Sequence, residues 1–164
     1  MKRVLFDLAA LVARVVVGLI FIAHGVQKWQ NGYDATAQGF TQGGVPQPRL
    51  AAAFTMVAEP VGGFLLVIGL FVPIAALALV VVMAGAFLFV HVDNGIFLAD
   101  RGWELVGTLG AANLVLAATG GGRFGVDGIY KGVLGRRARR RAEDQAAARA
   151  PIDVSQQHRE LSSP

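Results

Sequence analysis

Cysteine is absent from the sequence, and charged residues are scarce, at 16% of the chain. The missing thiols exclude a structural disulfide, a thiolate-ligated metal cluster and a dithiol relay carried by this chain itself. The low charge, together with a hydrophobic fraction of 54%, leaves too little polar surface for a soluble globular domain. We therefore interpret the 164 residues as one small polytopic membrane protein.

Four apolar segments follow one another along the chain, at about residues 5–26, 50–71, 73–92 and 102–118. Each is predicted to be helical, because lipid offers backbone N–H and C=O groups no other partners. No polar residue occurs between Val61 and Val90, so this stretch must fold back, and Pro73 favours the break. The fourth segment is short but sufficient if it is tilted. The prediction is an all-α, four-transmembrane-helix bundle over residues 1–134, with a retained first span rather than a cleaved signal peptide.

Basic residues are distributed unevenly between the two sides of such a bundle. With the N-terminus in the cytoplasm, eleven of them lie inside, whereas Lys28, Arg49 and Arg101 lie outside. The positive-inside rule therefore predicts that both termini are cytoplasmic. Residues 135–164 contain seven arginines, and we predict a disordered cytoplasmic tail or a frayed helix at the membrane surface. The arginine run 136–141 is interpreted as a topology determinant, and no nucleic-acid partner is expected.

The first outer loop is predicted to contain a short re-entrant or interfacial helix. Asp34 would cap its start, the helix would extend to Gln42, and Gly43 and Gly44 would end it. Pro46 and Pro48 are expected to start the second span.

Small residues accompany the charges within the spans, as is typical of packed membrane helices. In the first span one face is cationic and rich in glycine, because its residues lie within about 40° of one line: Arg14, Gly18, Phe21, Gly25 and Lys28. In the second span Glu59 precedes Pro60, which leaves the carbonyl of Met56 without its helical partner and available to a buried partner. In the fourth span Glu104 shares a face with Gly107, Thr108 and Ala111, and this face is expected to point inward.

Two ionisable residues are expected to meet near mid-membrane. Counted from the outer ends of their spans, Arg14 lies roughly 18 Å deep and Glu59 roughly 14 Å deep. We predict that they contact each other. A structural ion pair that locks helix packing and a ligand-binding or proton-handling role are both open interpretations.

A second polar layer is predicted at the outer boundary, where His24, Lys28, His91 and Glu104 would line one pocket. We treat these four residues, with Arg14 and Glu59, as candidates for ligand binding or proton handling. The two histidines lack the local spacing of a metal or haem site, so hydrogen bonding at the interface is the favoured interpretation and no metal site is predicted. The segment 120–125 is similar to a phosphate loop but lacks its lysine and strand, and we interpret it as a helix stop.

The order and spacing of these residues resemble the DoxX family of bacterial membrane proteins over about residues 4–134. The resemblance rests on the segments Arg14…Gly18…Phe21…His24-Gly25…Lys28, Gly43-Gly44-Val45-Pro46, Glu59-Pro60-Val61-Gly62-Gly63, Gly69, His91, Glu104 and Gly122-Arg123-Phe124-Gly125-Val126-Asp127. The corresponding family segment usually carries a proline and a serine where this chain has Gly121 and Gly125.

The resemblance implies a multi-pass protein of the bacterial cytoplasmic membrane that belongs to an oxidoreductase or oxidative-stress complex. A quinone or another small molecule would occupy the outer half of the bundle, and soluble redox enzymes would be its protein partners. Two alternatives stay open, a non-catalytic scaffold that recruits redox enzymes and a transporter for a small solute, and the latter would favour a homo-oligomer. No catalytic residue is identified, and whether the chain is itself an enzyme is left open.

Overall fold

The computed structural model describes residues 2–149, all of whose regular structure is helical. The helices are α1 (Lys2–Asn31), α2 (Tyr33–Gln42), α3 (Pro48–Ile68), α4 (Val72–Ala86), α5 (Glu104–Thr119) and α6 (Val126–Arg149). A π-helical turn, Phe87–His91, and a 3₁₀ turn, Val92–Asn94, prolong α4, and a second 3₁₀ turn, Leu98–Asp100, precedes α5. The described part of the chain divides into two units, the first ending at Ile129 and the second beginning at Tyr130.

Three helical segments are long and apolar enough to cross a membrane, namely Val4–Asn31, Pro48–Ile68 and Val72–Asn94. The prediction of an all-helical membrane protein is therefore confirmed. The first segment is longer than expected, because α1 continues to Asn31 and ends at Gly32, where φ is +88°. The fourth predicted span corresponds to α5, an apolar helix of 16 residues.

Helices α3 and α4 form the predicted tight hairpin. Gly69 (φ +71°) and Phe71 (φ +50°) adopt left-handed conformations, and α4 begins at Val72, one residue before Pro73. The N–H of Gly69 donates to the carbonyl of Leu65 at 2.9 Å, which closes the last turn of α3.

Helix α1 packs against α3 through the glycine-rich face predicted from the sequence. A Cβ atom on Gly18 would lie 2.5 Å from the carbonyl oxygen of Gly63, and one on Gly25 would lie 2.5 Å from Cδ of Pro60. The two backbones therefore approach closely, as small residues permit in membrane helices. Helix α1 also contacts α5, and α4 contacts both α3 and α5.

The loop helix α2 agrees with its predicted end but not with its predicted start. Gly32 occupies the N-cap position and no side chain caps the helix, so the capping role assigned to Asp34 is wrong. The carboxylate of Asp34 lies 4.0 Å from the guanidinium of Arg49 instead. The end at Gly43 and Gly44 is confirmed, as is Pro48 as the first residue of α3.

The basic segment is helical as far as Arg149, the last residue of α6. The sequence left two interpretations of this segment, a disordered tail and a frayed helix. The structure of residues 135–149 agrees with the helical one. Residues 150–164 of the predicted tail lie outside the described residues.

Candidate ligand-binding site

An ion pair between α1 and α3 forms the polar centre of the first unit. The Nζ atom of Lys28 lies 2.6 Å from Oε2 of Glu59, whose side chain is only 3% exposed. The predicted pairing of Arg14 with Glu59 is therefore wrong. Because α1 continues five residues beyond its predicted end at Val26, Lys28 lies within the helix.

The backbone carbonyl that Pro60 leaves without a donor in α3 accepts a hydrogen bond from a neighbouring side chain. Pro60 has no N–H to offer the carbonyl of Met56, and Nε1 of Trp29 donates to that carbonyl at 2.7 Å. The carbonyl thus has a partner, as predicted, but the partner is Trp29, which is 61% exposed, rather than a buried residue. Consecutive residues, Lys28 and Trp29, thus attach α1 to consecutive turns of α3.

Two histidines lie near the ion pair with defined ring orientations. Nδ1 of His24 lies 2.9 Å from the carbonyl oxygen of Ile20, and Nδ1 of His91 lies 2.6 Å from that of Arg101. A carbonyl oxygen can only accept, so each Nδ1 carries the proton, and Nε2 of the neutral ring is an acceptor. His91 ends the π-helical turn, a geometry that is frequent at functional sites.

Two cavities adjoin this centre. One of about 380 Å³ lies between α2, α3 and the outer part of α4, and one of about 230 Å³ lies between α1, α4 and α5. Lys28, Glu59, Ala86 and His91 line both cavities, and His24 lines the smaller one. Most other lining residues are apolar, so the ion pair and His91 provide polar groups within largely apolar walls.

Glu104 does not belong to this site. Its Oε1 accepts a hydrogen bond of 2.6 Å from the N–H of Leu98, and the residue lines neither cavity. The structure thus brings His24, Lys28 and His91 to one cavity, adds Glu59, and leaves Glu104 at the start of α5, outside both cavities.

The expected inward face of the fourth span is also wrong. Thr108 and Ala111 are exposed, and the buried residues of α5 are Val106, Leu109, Asn113 and Leu116. Since most residues of α5 are apolar, the small-residue pattern could not fix the rotation of the helix. These four residues lie three or four apart on one face, but apolar residues surround the helix, so no signal in the sequence identified this face or Asn113 within it.

Arg14 forms a separate centre at the end of α3. Its Nη1 donates to the carbonyl of Gly121 at 2.8 Å, and its Nη2 donates to that of Phe124 at 2.6 Å. The guanidinium fits because Gly69 and Gly125 have no side chains, and a Cβ atom on either would overlap Nη1.

The loop that receives Arg14 follows the predicted helix stop at Gly120, where φ is +74°. Asp7 accepts a hydrogen bond of 3.0 Å from the N–H of Arg123 in this loop, and the N–H of Asp127 donates to the carbonyl of Gly69 at 3.1 Å. No role for Asp7 is predicted from the sequence. This centre is therefore architectural, and it joins the loop to α1 and to the α3–α4 turn.

Asn113 is fully buried, and its Oδ1 accepts no hydrogen bond from the described residues. Its Nδ2 donates to the carbonyl of Leu109 within α5 at 2.8 Å. Within residues 2–149, no group of three or more histidine, aspartate or glutamate side chains could hold a metal ion.

The packed helices and their internal polar centre define a multi-pass helical membrane protein. Within that class the chain belongs to the DoxX family, because the family model, described as DoxX, matches residues 9–92. The resemblance inferred from the spacing of the motifs is thereby confirmed.

Three relatives extend the match over most of the chain. "Inner membrane protein YphA" of Escherichia coli is 31% identical over 132 residues, which cover 71% of this chain and 86% of the relative. An uncharacterized protein of Haemophilus influenzae is 36% identical over 120 residues (71% of this chain and 87% of the relative). "Putative oxidoreductase CatD" of Bacillus subtilis is 29% identical over 119 residues (73% and 84%). No solved structure matches. The chain is thus a multi-pass protein of the bacterial inner membrane.

Proposed function

We propose that this chain is the membrane subunit of a redox complex and that it binds a quinone at Lys28, Glu59 and His91. The observation that carries the proposal is the buried Lys28–Glu59 pair, which faces two largely apolar cavities together with His91. Ionisable groups inside a membrane protein are costly, and those that face a cavity mark ligand or proton pathways. A pair that only locked α1 to α3 would need no cavity beside it.

The residues present fit a quinone. The larger cavity, of about 380 Å³, lies within the range of about 300–1,000 Å³ that is typical of small-molecule sites. Phe40 and Phe54 provide aromatic surfaces against which the quinone ring would pack. The ammonium group of Lys28 would donate hydrogen bonds to a carbonyl oxygen of the quinone. The free Nε2 of His91 supplies an acceptor, and Glu59 fixes the position of Lys28. A bound quinone would supply two-electron redox chemistry, which the side chains of the site do not supply by themselves.

The name of one relative supports a redox role. The Bacillus subtilis protein is named an oxidoreductase, and it is 29% identical to this chain over 84% of its own length. The identity is sufficient for a common fold, and the redox role comes to this chain as part of our proposal.

For topology we propose four spans, with both termini in the cytoplasm and α2 as an interfacial helix. At about 1.5 Å per residue α5 is roughly 24 Å long, somewhat less than the hydrocarbon thickness of about 30 Å. A short span is accommodated by local thinning of the bilayer. The basic residues support the orientation, because Arg49 and Arg101 would lie outside and eleven others inside, whereas Lys28 lies within α1.

The experiment is a quinone assay of the protein purified in mild detergent. We expect a quinone to be extracted from the wild-type protein and to be lost from Lys28→Met, which keeps the length of the side chain but removes its donors. Glu104→Gln serves as the matched control, because Glu104 lines neither cavity, and it should retain the quinone. If all three preparations lack quinone and take up none when it is added, the quinone proposal is wrong. The non-catalytic scaffold then becomes the better interpretation.

A further inference from the structure

The larger cavity opens through the side of the first unit rather than only at its end. Three of its lining residues are also exposed on the outer surface of the helices: Phe54 (46%), Val81 (62%) and Val90 (45%). By contrast, Glu59 and Val82, which line the same cavity, are buried. The cavity thus has a polar inner end and an apolar outer mouth.

The mouth lies within the apolar segments. Phe54 is six residues into α3, roughly 9 Å from its start, and Val81 lies near the middle of the apolar segment Val72–Asn94. Closer to the α3–α4 turn the two helices touch, because a Cβ atom on Gly62 would lie 3.1 Å from Cγ of Leu79. The mouth is therefore the gap between α3 and α4 beyond this contact, at a depth where the surrounding medium is lipid.

The outer side of the cavity is covered by the first loop. Phe40 of α2 and Val45 of the following turn line the cavity. The end of α2 also touches the π-helical turn, since a Cβ atom on Gly43 would lie 3.1 Å from the carbonyl oxygen of Phe89. A ligand approaching from water would meet this cover, whereas one dissolved in the bilayer would meet the apolar mouth.

We infer that the ligand enters from the bilayer between α3 and α4, and that it is a membrane-dissolved molecule with a hydrogen-bonding head and an apolar tail. The head lies at Lys28, Glu59 and His91, and the tail leaves between Phe54 and Val81. This inference rests on the proposed ligand site and adds to it the route of entry and the requirement for an apolar tail on the ligand.

The test compares a tailed and a tail-less ligand in rim variants. Binding of decylubiquinone, and of the same quinone ring without a tail, is measured in nanodiscs, with empty nanodiscs subtracted. Val81→Trp narrows the mouth. Its matched control is Leu77→Trp, since Leu77 lies one turn away on α4, is similarly exposed and lines neither cavity. Phe54→Trp and its control Phe64→Trp repeat the comparison on α3, so that one poorly folded variant does not decide the outcome.

We expect the wild-type protein to bind decylubiquinone at least about tenfold more tightly than the tail-less ring, because the tail concentrates the ligand in the bilayer beside the mouth. The two rim variants should lose most of this preference but keep the affinity for the ring, and the two controls should match the wild type. If the rim variants bind decylubiquinone as tightly as the wild type does, the lateral entrance is wrong while the proposed site stands. If the wild-type protein binds neither quinone, the proposed site itself fails.

Discussion

The Nζ atom of Lys28 lies 2.6 Å from Oε2 of Glu59, and this contact joins α1 to α3 in a region otherwise dominated by apolar side chains. Lys28 is partly exposed, at 22%, whereas Glu59 is buried. Water can solvate the charge of Lys28 in part, whereas the charge of Glu59 is neutralised by Lys28. The loss of stability should therefore be larger when Lys28 is removed than when Glu59 is removed.

Removing one partner of the ion pair should destabilise the protein more than removing both. A stranded buried charge costs about 3–5 kcal/mol, whereas an apolar replacement of the whole pair is often much milder. We expect Lys28→Met to lower the melting temperature in detergent clearly, because it strands Glu59. Lys28→Met combined with Glu59→Leu should recover much of the loss.

Arg14 provides the control for this cycle. It bonds Gly121 and Phe124 rather than Glu59, so Arg14→Ala and Glu59→Leu should have additive effects on the melting temperature. Additive effects of the Lys28 and Glu59 substitutions would contradict the pairing seen in the structure. Coupling between Arg14 and Glu59 would contradict the revised partners.

The glycine at the end of α3 should be far more sensitive to substitution than a glycine of similar conformation in the first loop. Gly69 and Gly44 have φ values of +71° and +69°. An alanine at either position incurs the left-handed penalty of about 1–2 kcal/mol. At Gly69 the new methyl group would also overlap the guanidinium of Arg14, whereas nothing lies within 4 Å of it at Gly44.

We therefore expect Gly69→Ala to lower the melting temperature at least twice as much as Gly44→Ala. Thermal unfolding in detergent, followed by circular dichroism, measures the difference. Equal losses would mean that conformation alone explains the requirement for glycine and that Arg14 does not occupy this position.

The sequence predicted those features that follow from local chemistry. Pro60 necessarily removes the donor for Met56, and the glycines of α1 and α3 lie on one face at helical spacing, so both predictions agree with the structure. The rotation of α5 was not predictable in the same way. Its apolar residues surround the helix, and only packing against α1 and α4 selects Val106 and Asn113 as buried.

The partner of Glu59 could not be read from the sequence because it depends on how α1 and α3 pack along each other. Gly25 packs against Pro60, and this register brings Lys28 to Glu59. Arg14 lies roughly 21 Å from Lys28 along the axis of α1 and reaches a loop more than a hundred residues away in sequence. Residue composition predicts the presence of a membrane span more reliably than it predicts the residues at which the span begins and ends.

The hydrogen bond donated by Trp29 should contribute to the stability of the protein only while Pro60 is present. Trp29→Phe leaves the buried carbonyl of Met56 without its donor, at a cost of about 1–3 kcal/mol. Pro60→Ala restores a backbone N–H that can bond the same carbonyl within α3. We expect the Trp29→Phe loss in melting temperature to be clearly smaller in the Pro60→Ala background than in the wild type. An equal loss in both backgrounds would show that Trp29 stabilises the protein by packing alone.

The number of spans can be decided by reporter fusions, because α5 is the element whose crossing is in question. With the N-terminus in the cytoplasm, α1, α3 and α4 place Gly39 and Asn94 on the outer side, so alkaline phosphatase fused at either residue should be active. If α5 crosses, fusion after Arg141 returns the enzyme to the cytoplasm, where it should be inactive and a cytoplasmic reporter at the same position should fluoresce. Three spans would instead give an active phosphatase after Arg141, the same result as at Asn94.

The same fusions test the orientation. An inactive phosphatase at Gly39 and Asn94 with an active one after Arg141 would reverse the orientation. It would also place Lys28, Glu59 and His91 in the cytoplasmic half of the membrane.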